Sequence, residues 1–471
     1  MPEIHASFGE VFGAIRNELF LFAATFFVLG AIDEWLVDAA YFGMRITGKA
    51  KRLRLDEADL ATHKLQGIAA LFIPAWKEDA VIEITLRHAG QAWPQDELRI
   101  YVGCYPNDPA TQKAVRRAAA DDPRITLVVH ERPGPTCKAD CLNELYKALV
   151  RDEQVQGFRA RMVVMQDAED CVDPYALPLL DRAISDAEFV QLPVLALPNR
   201  SSPFIAGHYS DEFAENHAKT LVVRSLLGAG VPGAGVGSAI ERDTLEALGR
   251  SQAGEAGALS DRLRPFADDS LTEDYELGLN IAALGGRSRY LRARTLHGHL
   301  IATRAYFPST IETSVRQKTR WIHGVALQSW DRMGWRGGAA GAWMALRDRR
   351  GPFAALLLLL GYSLSIVALI DLIATRLGLY ETPPYSDAVE FLLIVALGAV
   401  VWRAAMRAYF TTREFGWRQG LLSIPRLLVS NVISIMAGWR AVLAYWRSRK
   451  GEAPRWDKTE HTDHPALATP T

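Results

Sequence analysis

Between residues 65 and 300, short apolar runs of β character alternate with stretches of helical character; outside that region the apolar runs lengthen and lose their charges. Ala69–Ile73, Leu98–Val102, Ile125–Val129 and Val163–Met165 each have the length and composition of a buried parallel strand, and Phe189–Val194 adds a fifth. Strands alternating with helical stretches predict a sheet covered by helices on both faces. Each of the first four runs is followed by polar or charged groups: the Pro74 to Glu78 loop, Asp108, Lys138 after a Pro/Gly loop, and Asp167, Glu169 and Asp170. Groups just past strand carboxyl ends converge on a crevice in open α/β sheets, so this set predicts one ligand site.

Helical signals follow. Ser270-Leu-Thr-Glu273 fits a capping box, which predicts a helix from Leu271 onward with Asp274 in its first turn. Plain capping explains Ser270 and Glu273 but makes no demand on Asp274. An aspartate near a helix N-terminus is favoured as the anion, ready to accept a proton. Ile311 to Trp330 is expected as one amphipathic helix, with Gln317, Arg320 and Trp321 on one face by their i, i+3, i+4 spacing. By itself such a face reads as packing at a membrane interface. The glycines at 228, 230, 233, 235 and 237 fit neither a P-loop nor a dinucleotide fingerprint; they mark a close backbone approach to a ligand or a flexible turn.

The long runs point to a membrane. Leu19 to Ile32 predicts a first transmembrane helix, without the basic n-region or cleavage site of a signal peptide. Arg45, Lys49, Lys51, Arg52 and Arg54 follow it and place the next segment in the cytoplasm. Phe353 to Ile370 is an uncharged second span, and Phe391 to Trp402 starts a third that returns to Arg403, Arg407, Arg413 and Arg418. Leu421 to Tyr445 is interrupted by Arg426, Asn431 and Arg440, and a crossing there would put Arg447, Arg449, Lys450 and Arg455 outside. An interfacial amphipathic helix is expected instead. The chain then divides into an N-terminal transmembrane helix with its flanks (1–48), a cytoplasmic catalytic domain (49–310), amphipathic interfacial helices (311–350), two transmembrane helices (351–410), an interfacial helix (411–450) and a flexible cytoplasmic tail (451–471).

Composition narrows the chemistry. A net charge of −1 over 471 residues gives no electrostatic case for nucleic acid. The four cysteines form no CxxC pair and read as reduced thiols; Cys137-x-x-x-Cys141 is at most half a metal site. Charge matters locally at Asp167-Ala-Glu-Asp170, where three acids within four residues repel unless a cation joins them. Alone, the stretch reads as a solvated acidic turn. With a phosphorylated substrate in the crevice, Mg²⁺ or Mn²⁺ is the natural guest for such oxygen ligands.

Asp108, Asp167-Ala-Glu-Asp170, Thr272-Glu273-Asp274 and Gln317-x-x-Arg320-Trp321, in that order, resemble a family 2 glycosyltransferase of the membrane-embedded synthase type, which includes cellulose and chitin synthases. Val102-Gly-Cys-Tyr-Pro-Asn-Asp-Pro109, Asp211-Glu-Phe-Ala-Glu-Asn-His217, Arg316-Gln-Lys-Thr-Arg-Trp-Ile-His-Gly324 and Trp456-Asp-Lys-Thr-Glu-His461 are similar, more narrowly, to a group of bacterial inner-membrane proteins. Longer members of that group carry a C-terminal regulatory domain associated with cyclic di-GMP. This chain ends too soon for one, which puts that route of regulation in doubt.

The resemblance implies an α/β GT-A domain, a mixed sheet covered by helices, joined to transmembrane and interfacial helices. It implies an inverting transferase in the bacterial inner membrane, with its catalytic domain in the cytoplasm. The donor is a nucleotide-diphosphate sugar, uridine-linked, with an N-acetylhexosamine as the guess, and the acceptor is a growing exopolysaccharide. By the same resemblance Asp108 and the Pro74 to Glu78 loop hold uracil and ribose, Asp167 meets the diphosphate and its metal, and Lys138 helps at the phosphates. Gln317 and Arg320 neutralise the leaving group, Trp321 stacks on an acceptor sugar, and Asp274, beside Thr272 and Glu273, is the general base. The usual Asp-x-Asp is altered: Glu169 holds its third position and Asp170 follows, so either reaches the metal. About three spans are too few to enclose a channel, which implies self-association or an export partner. The rival readings are a non-processive transferase onto a lipid-linked acceptor and a catalytically idle scaffold used as a phage receptor.

Overall fold

Seven strands make the central sheet: β1 (Ile68–Pro74), β2 (Leu98–Cys104), β3 (Ile125–Val129), β4 (Ala160–Met165), β5 (Phe189–Gln191), β6 (Ser238–Glu241) and β7 (Ser288–Tyr290), in the spatial order β3-β2-β1-β4-β6-β5-β7. The computed structural model describes residues 8–254, 259–379, 384–450 and 464–467. Apart from a short turn at Pro465–Leu467, the expected flexible tail, with the Trp456 to His461 stretch, lies outside the described residues.

β1 to β4 run parallel, with Leu71 opposite Ile100 on one side and Val164 on the other. β6 is antiparallel to both β4 and β5, and β5 and β7 are parallel, so the sheet is mixed. Successive side chains point to opposite faces. Leu71, Ile73, Val102 and Val164 pack under Leu86 and Trp93, while Phe72, Tyr101, Val163 and Met165 pack under Leu142 and Leu145. Burial on both faces is why these strands read as continuous apolar runs.

Phe189–Val194 is two elements rather than one strand. Pro193 has no N–H to give a ladder. β5 therefore ends at Gln191, and the chain resumes as Val194–Ala196, paired outside the main sheet with Thr303–Ala305.

The helices used below are α1 (Phe8–Ile46), α2 (Lys138–Gln156), α3 (Ile205–Glu215), α4 (Glu273–Ala283), α5 (Ile311–Trp321), α6 (Gly351–Arg376), α7 (Asp387–Phe415) and α8 (Trp417–Ser448). Of these, α1, α6, α7 and α8 are long and apolar enough to cross a membrane. α1 continues past Ile32 because Asp33 and Glu34 are matched: Arg350 reaches Asp33 at 2.5 Å, Arg347 reaches Glu34 at 3.0 Å, and the Trp343 indole donates to Asp33 at 2.6 Å. The stretch 421–445 belongs to one continuous helix, α8, with Pro425 inside it.

Two helix starts and ends differ from expectation. α4 begins at Glu273, not Leu271, and the Ser270/Glu273 capping box does not form. The Ser270 hydroxyl instead donates to Glu276 at 3.0 Å and accepts the Thr272 N–H, which holds the chain non-helical for two more residues. α5 stays regular only to Trp321, then widens into a π-helical stretch, Ile322–Gln328, before Ser329–Met333. Gly324 in that stretch lies so close to Thr272 that a Cβ would sit 2.5 Å from its side chain.

Candidate active site

β1 and β4 are neighbours and end together, which brings the Pro74 to Glu78 loop beside the acidic loop. β6 and β5 bring the glycine loop and α4 from the other side. One cleft results, lined by Pro74, Glu78, Lys138, Asp167, Glu169, Asp170, Thr272, Glu273, Asp274, Gln317, Arg320 and Trp321. Every residue expected at the site is there except Asp108. The Asp108 carboxylate is buried; it caps the helix Pro109–Asp121 through the Thr111 N–H at 3.3 Å and accepts the Lys77 N–H at 2.6 Å. It braces the Pro74 to Glu78 loop from behind rather than facing the cleft. Asp108-Pro109 is also a helix-start signal, an N-cap followed by Pro at the first helical position, and that role is the one seen.

Within the acidic loop the three carboxylates differ. Asp170 is buried and accepts the Asp167 N–H at 2.9 Å. Burial, then the charges of Asp167 and Glu169, push its carboxyl well above the ordinary range. Asp167 lies 2.5 Å from the Lys138 ammonium. Lys138 is the first residue of α2, where the helix dipole disfavours a cation. Burial also works against its charge, but Asp167, Glu273 and Asp274 outweigh both and hold its pKa above the usual lysine range.

Asp274 is the second residue of α4, and its carboxylate accepts the Tyr275 N–H at 2.8 Å. The expected preference for the anion is weakened in the structure. Burial exceeds the help from Lys138 and the backbone, so the Asp274 pKa is raised. Glu273 is pushed up to about 7 by burial and then by the charge of Asp274. The glycine loop is a close backbone approach, and its neighbour is Asp274. A Cβ on Gly235, whose φ is 82°, would meet Asp274 Oδ2 at 2.7 Å and the Lys138 ammonium at 3.5 Å, and the Gly233 N–H donates to the Asp274 carbonyl at 3.2 Å. Ala234, Gly235 and Val236 form that wall of the cleft.

Thr272 Oγ1, Glu273 Oε1 and Gln317 Oε1 are buried without a hydrogen-bond partner, and Arg320 donates no hydrogen bond to another described residue. Buried polar groups are seldom left unpaired, so this set is arranged for a ligand. Trp76, Phe213, Tyr306 and Phe307 also line the cleft. Phe213 and Phe307 are 4.7 Å apart by ring centroid, and Phe307 is 6.3 Å from Trp321. Single aromatics on different elements carry no spacing signal, so only Trp321 stood out in the sequence. Among the described residues no three His, Cys, Asp or Glu side chains stand in ion-holding geometry, and all four cysteines are free thiols.

A mixed sheet that delivers an acidic loop from its parallel half and a carboxylate-bearing helix from its antiparallel half is a GT-A glycosyltransferase fold. Residues 67–324, more than half of the chain, match glycosyltransferase like family 2, and the chain belongs to that family. It is 31% identical over 482 aligned residues to bacteriophage adsorption protein B of Escherichia coli, an alignment covering 95% of this chain and 62% of that protein. The chain thus spans about three fifths of the length of that relative. Among solved structures, a mannosyltransferase from Pyrobaculum calidifontis in complex with GDP-Man and Mn²⁺ is 16% identical with a TM-score of 0.48, covering 88% of this chain and 99% of its own. Glucosyl-3-phosphoglycerate synthase from Mycobacterium tuberculosis, in complex with Mn²⁺, UDP and phosphoglyceric acid, is 16% identical with a TM-score of 0.33, covering 60% of this chain and 82% of its own.

Proposed function

We propose that this protein is a membrane-bound inverting glycosyltransferase that moves a sugar from a UDP-sugar to a growing glycan. The observation that carries the reading is the meeting, in one cleft, of an acidic loop, a lysine, the carboxylate pair Glu273 and Asp274, and the Gln317/Arg320 face. The chemical difficulty of the reaction is a diphosphate leaving group that gains negative charge as the bond to the anomeric carbon breaks. Lys138 and Arg320 present two fixed cations where that charge develops. Asp167, Glu169 and Asp170 all line the cleft just beyond β4, and Asp167 with Glu169 or Asp170 would hold Mg²⁺ or Mn²⁺. That ion supplies Lewis-acid neutralisation of the diphosphate.

Asp274 removes the proton from the acceptor hydroxyl. The hydroxyl oxygen then bonds to the anomeric carbon from the face opposite the diphosphate, which leaves with its bonding electrons. Trp321, Phe307 and Phe213 offer flat faces for a sugar ring. The basic residues flanking the spans support a cytoplasmic position for this domain, under the inner membrane.

α8 lies along the membrane surface rather than across it. Arg426 bonds Asp211 at 3.1 Å and the Pro203 carbonyl at 2.6 Å, Ser430 bonds Glu212 at 2.5 Å, and Tyr445 bonds Asp331 at 2.6 Å. A crossing helix leaves the catalytic domain and the interfacial helices behind within a few turns; α8 is bonded to one or the other from Arg426 to Tyr445. Only α1, α6 and α7 then cross, and a glycan path requires a second copy or an export partner.

The test is to offer a panel of nucleotide sugars, with Mg²⁺ or Mn²⁺, to membranes containing the protein. Transfer from one of them supports the reading, and a ladder of products on a gel supports processive addition. A single-addition product favours the lipid-linked acceptor; no transfer from any donor leaves the scaffold reading.

A further inference from the structure

The face of α5 turned away from the cleft is fixed by one ion pair between a buried lysine and a half-buried glutamate. Ser314, Val315 and Lys318 are its buried positions, and Val315 packs against Ile433 and Ala437 of α8. The Lys318 ammonium donates to both oxygens of Glu212 on α3, at 2.7 and 2.8 Å, and sits 5.5 Å over the Tyr209 ring. Glu212 also accepts the Ser430 hydroxyl of α8 at 2.5 Å. Burial works against ionisation of Glu212, but Lys318, His208 and Arg407 outweigh it and hold the carboxyl well below its ordinary range.

Lys318 follows Gln317 in sequence and is about 100° around the helix from it. A methyl-lined contact such as Val315 tolerates sliding and rotation; a bidentate ion pair on a buried lysine does not. We propose that the Lys318–Glu212 pair is a positioning device that sets the rotation of α5 and so aims Gln317 and Arg320 into the cleft. The proposal rests on the transferase reading, because Gln317 and Arg320 matter there as ligands of the leaving diphosphate. It also ties the site to the membrane-side helix α8 through Ser430.

The test is a double-mutant cycle on the full chain in detergent, reading transfer from the nucleotide sugar that the donor panel identifies, together with the thermal midpoint. Lys318→Met is expected to lower kcat by about 10- to 100-fold, the scale of a small misplacement of catalytic groups. In an Arg320→Ala background the same change is expected to lower kcat by less than about twofold, since the group it aims is gone. The fall in thermal midpoint is expected to be equal in both backgrounds. Lys318→Met that costs the same factor in both backgrounds, or leaves kcat unchanged, overturns the proposal.

Should Lys318→Met not fold, the neutral pair Glu212→Gln/Lys318→Gln keeps a hydrogen bond at the same place. It is expected to retain kcat within about fivefold of wild type; a loss of 10-fold or more with an intact thermal midpoint overturns the proposal. A wild-type chain that transfers nothing overturns the transferase reading and this one with it. A wild type that transfers, with additive losses in the cycle, overturns this one alone.

Discussion

The Lys138 ammonium lies 2.5 Å from Asp167 Oδ1, so a salt bridge joins the start of α2 to the acidic loop across the mouth of the cleft. A divalent ion bound by Asp167 must compete with that lysine, while a bound diphosphate would share it. Lys138→Met should therefore tighten Mn²⁺ binding in the absence of nucleotide and weaken the nucleotide sugar. Loss of a charge-assisted hydrogen bond predicts a donor KM about 10- to 100-fold higher. Calorimetric titration of Mn²⁺ beside donor kinetics checks both signs; weaker metal binding in the variant would show that Lys138 does not compete for Asp167.

Asp274 is the residue placed to take the acceptor proton, with its carboxylate fixed by the Tyr275 N–H and by the approach of Gly235. Asp274→Asn keeps the shape and removes the base. We expect kcat to fall by about 10² to 10⁴, with UDP binding within about threefold of wild type. Turnover by the variant at the wild-type rate would remove Asp274 from the mechanism.

Asp274 and its neighbour Glu273 predict an acid limb in the rate profile. Glu273 is pushed up to about 7 by burial and the neighbouring Asp274, whose own pKa is raised by burial. A raised carboxyl pKa means that the proton is held to higher pH, and the base works only after it has left. Transfer should fall at a higher pH than an unperturbed carboxylate base would give, and Glu273→Gln, which removes a repelling charge, should shift that limb to lower pH. A limb that stays in place in Glu273→Gln would show that the two carboxylates do not act on each other.

The strands of the parallel half were legible because burial on both faces leaves an uninterrupted apolar run that no other element of that length mimics. Phe189–Val194 misled because apolar content says nothing about the N–H that Pro193 lacks. Asp108 carries two signals at once: the end of a strand and the start of a helix coincide there, and the sequence does not say which one uses the carboxylate. The Ser270 hydroxyl could accept the Glu273 N–H in a capping box, but it accepts the Thr272 N–H and donates to Glu276, in a segment that also bonds Gln328 of the π-helical stretch through the Leu271 N–H, a contact that the Gln317 to Trp321 spacing cannot reveal. The ionisation of Asp274 was beyond reach altogether, because a helix dipole is visible in sequence and the depth of burial is not.

Gly278 shows how tightly α4 is held against the glycine loop. A Cβ there would sit 2.1 Å from the Val231 carbonyl oxygen and 2.8 Å from the Phe189 ring. The first of these neighbours is backbone, which cannot rotate away, so Gly278→Ala must push α4 off the sheet. Overpacking of this kind costs about 1–3 kcal/mol, and because Glu273 and Asp274 ride on the same helix, transfer should fall along with the thermal midpoint. Full activity in Gly278→Ala would mean that α4 can shift without moving its carboxylates relative to Lys138.

Arg426 of α8 tests whether that helix is anchored to the catalytic domain. Its guanidinium bonds Asp211, Gln419 and the Pro203 carbonyl, and Gly207 is bare of a side chain where it passes, since a Cβ there would meet Arg426 Nε at 2.5 Å. Burial pushes the Asp211 carboxyl up to about 7 even with Arg426 and Arg407 opposing the rise. Arg426→Met strips away one of those opposing charges and should cost about 3–5 kcal/mol at neutral pH, as breaking a buried pair does. The sign of the pH dependence follows from the direction of the shift. A carboxyl whose folded pKa lies above its unfolded value stabilises the fold most when protonated, and that contribution is lost as pH rises to the folded pKa. In the wild type the loss is complete near pH 7; in Arg426→Met the folded pKa is higher still, so the loss continues above pH 7. The gap in thermal midpoint between the two proteins should therefore widen from pH 6 to pH 8, and adding Asp211→Asn should remove the widening while leaving the rest of the gap. A gap that stays constant across that range would show that Asp211 does not depend on Arg426 for its charge.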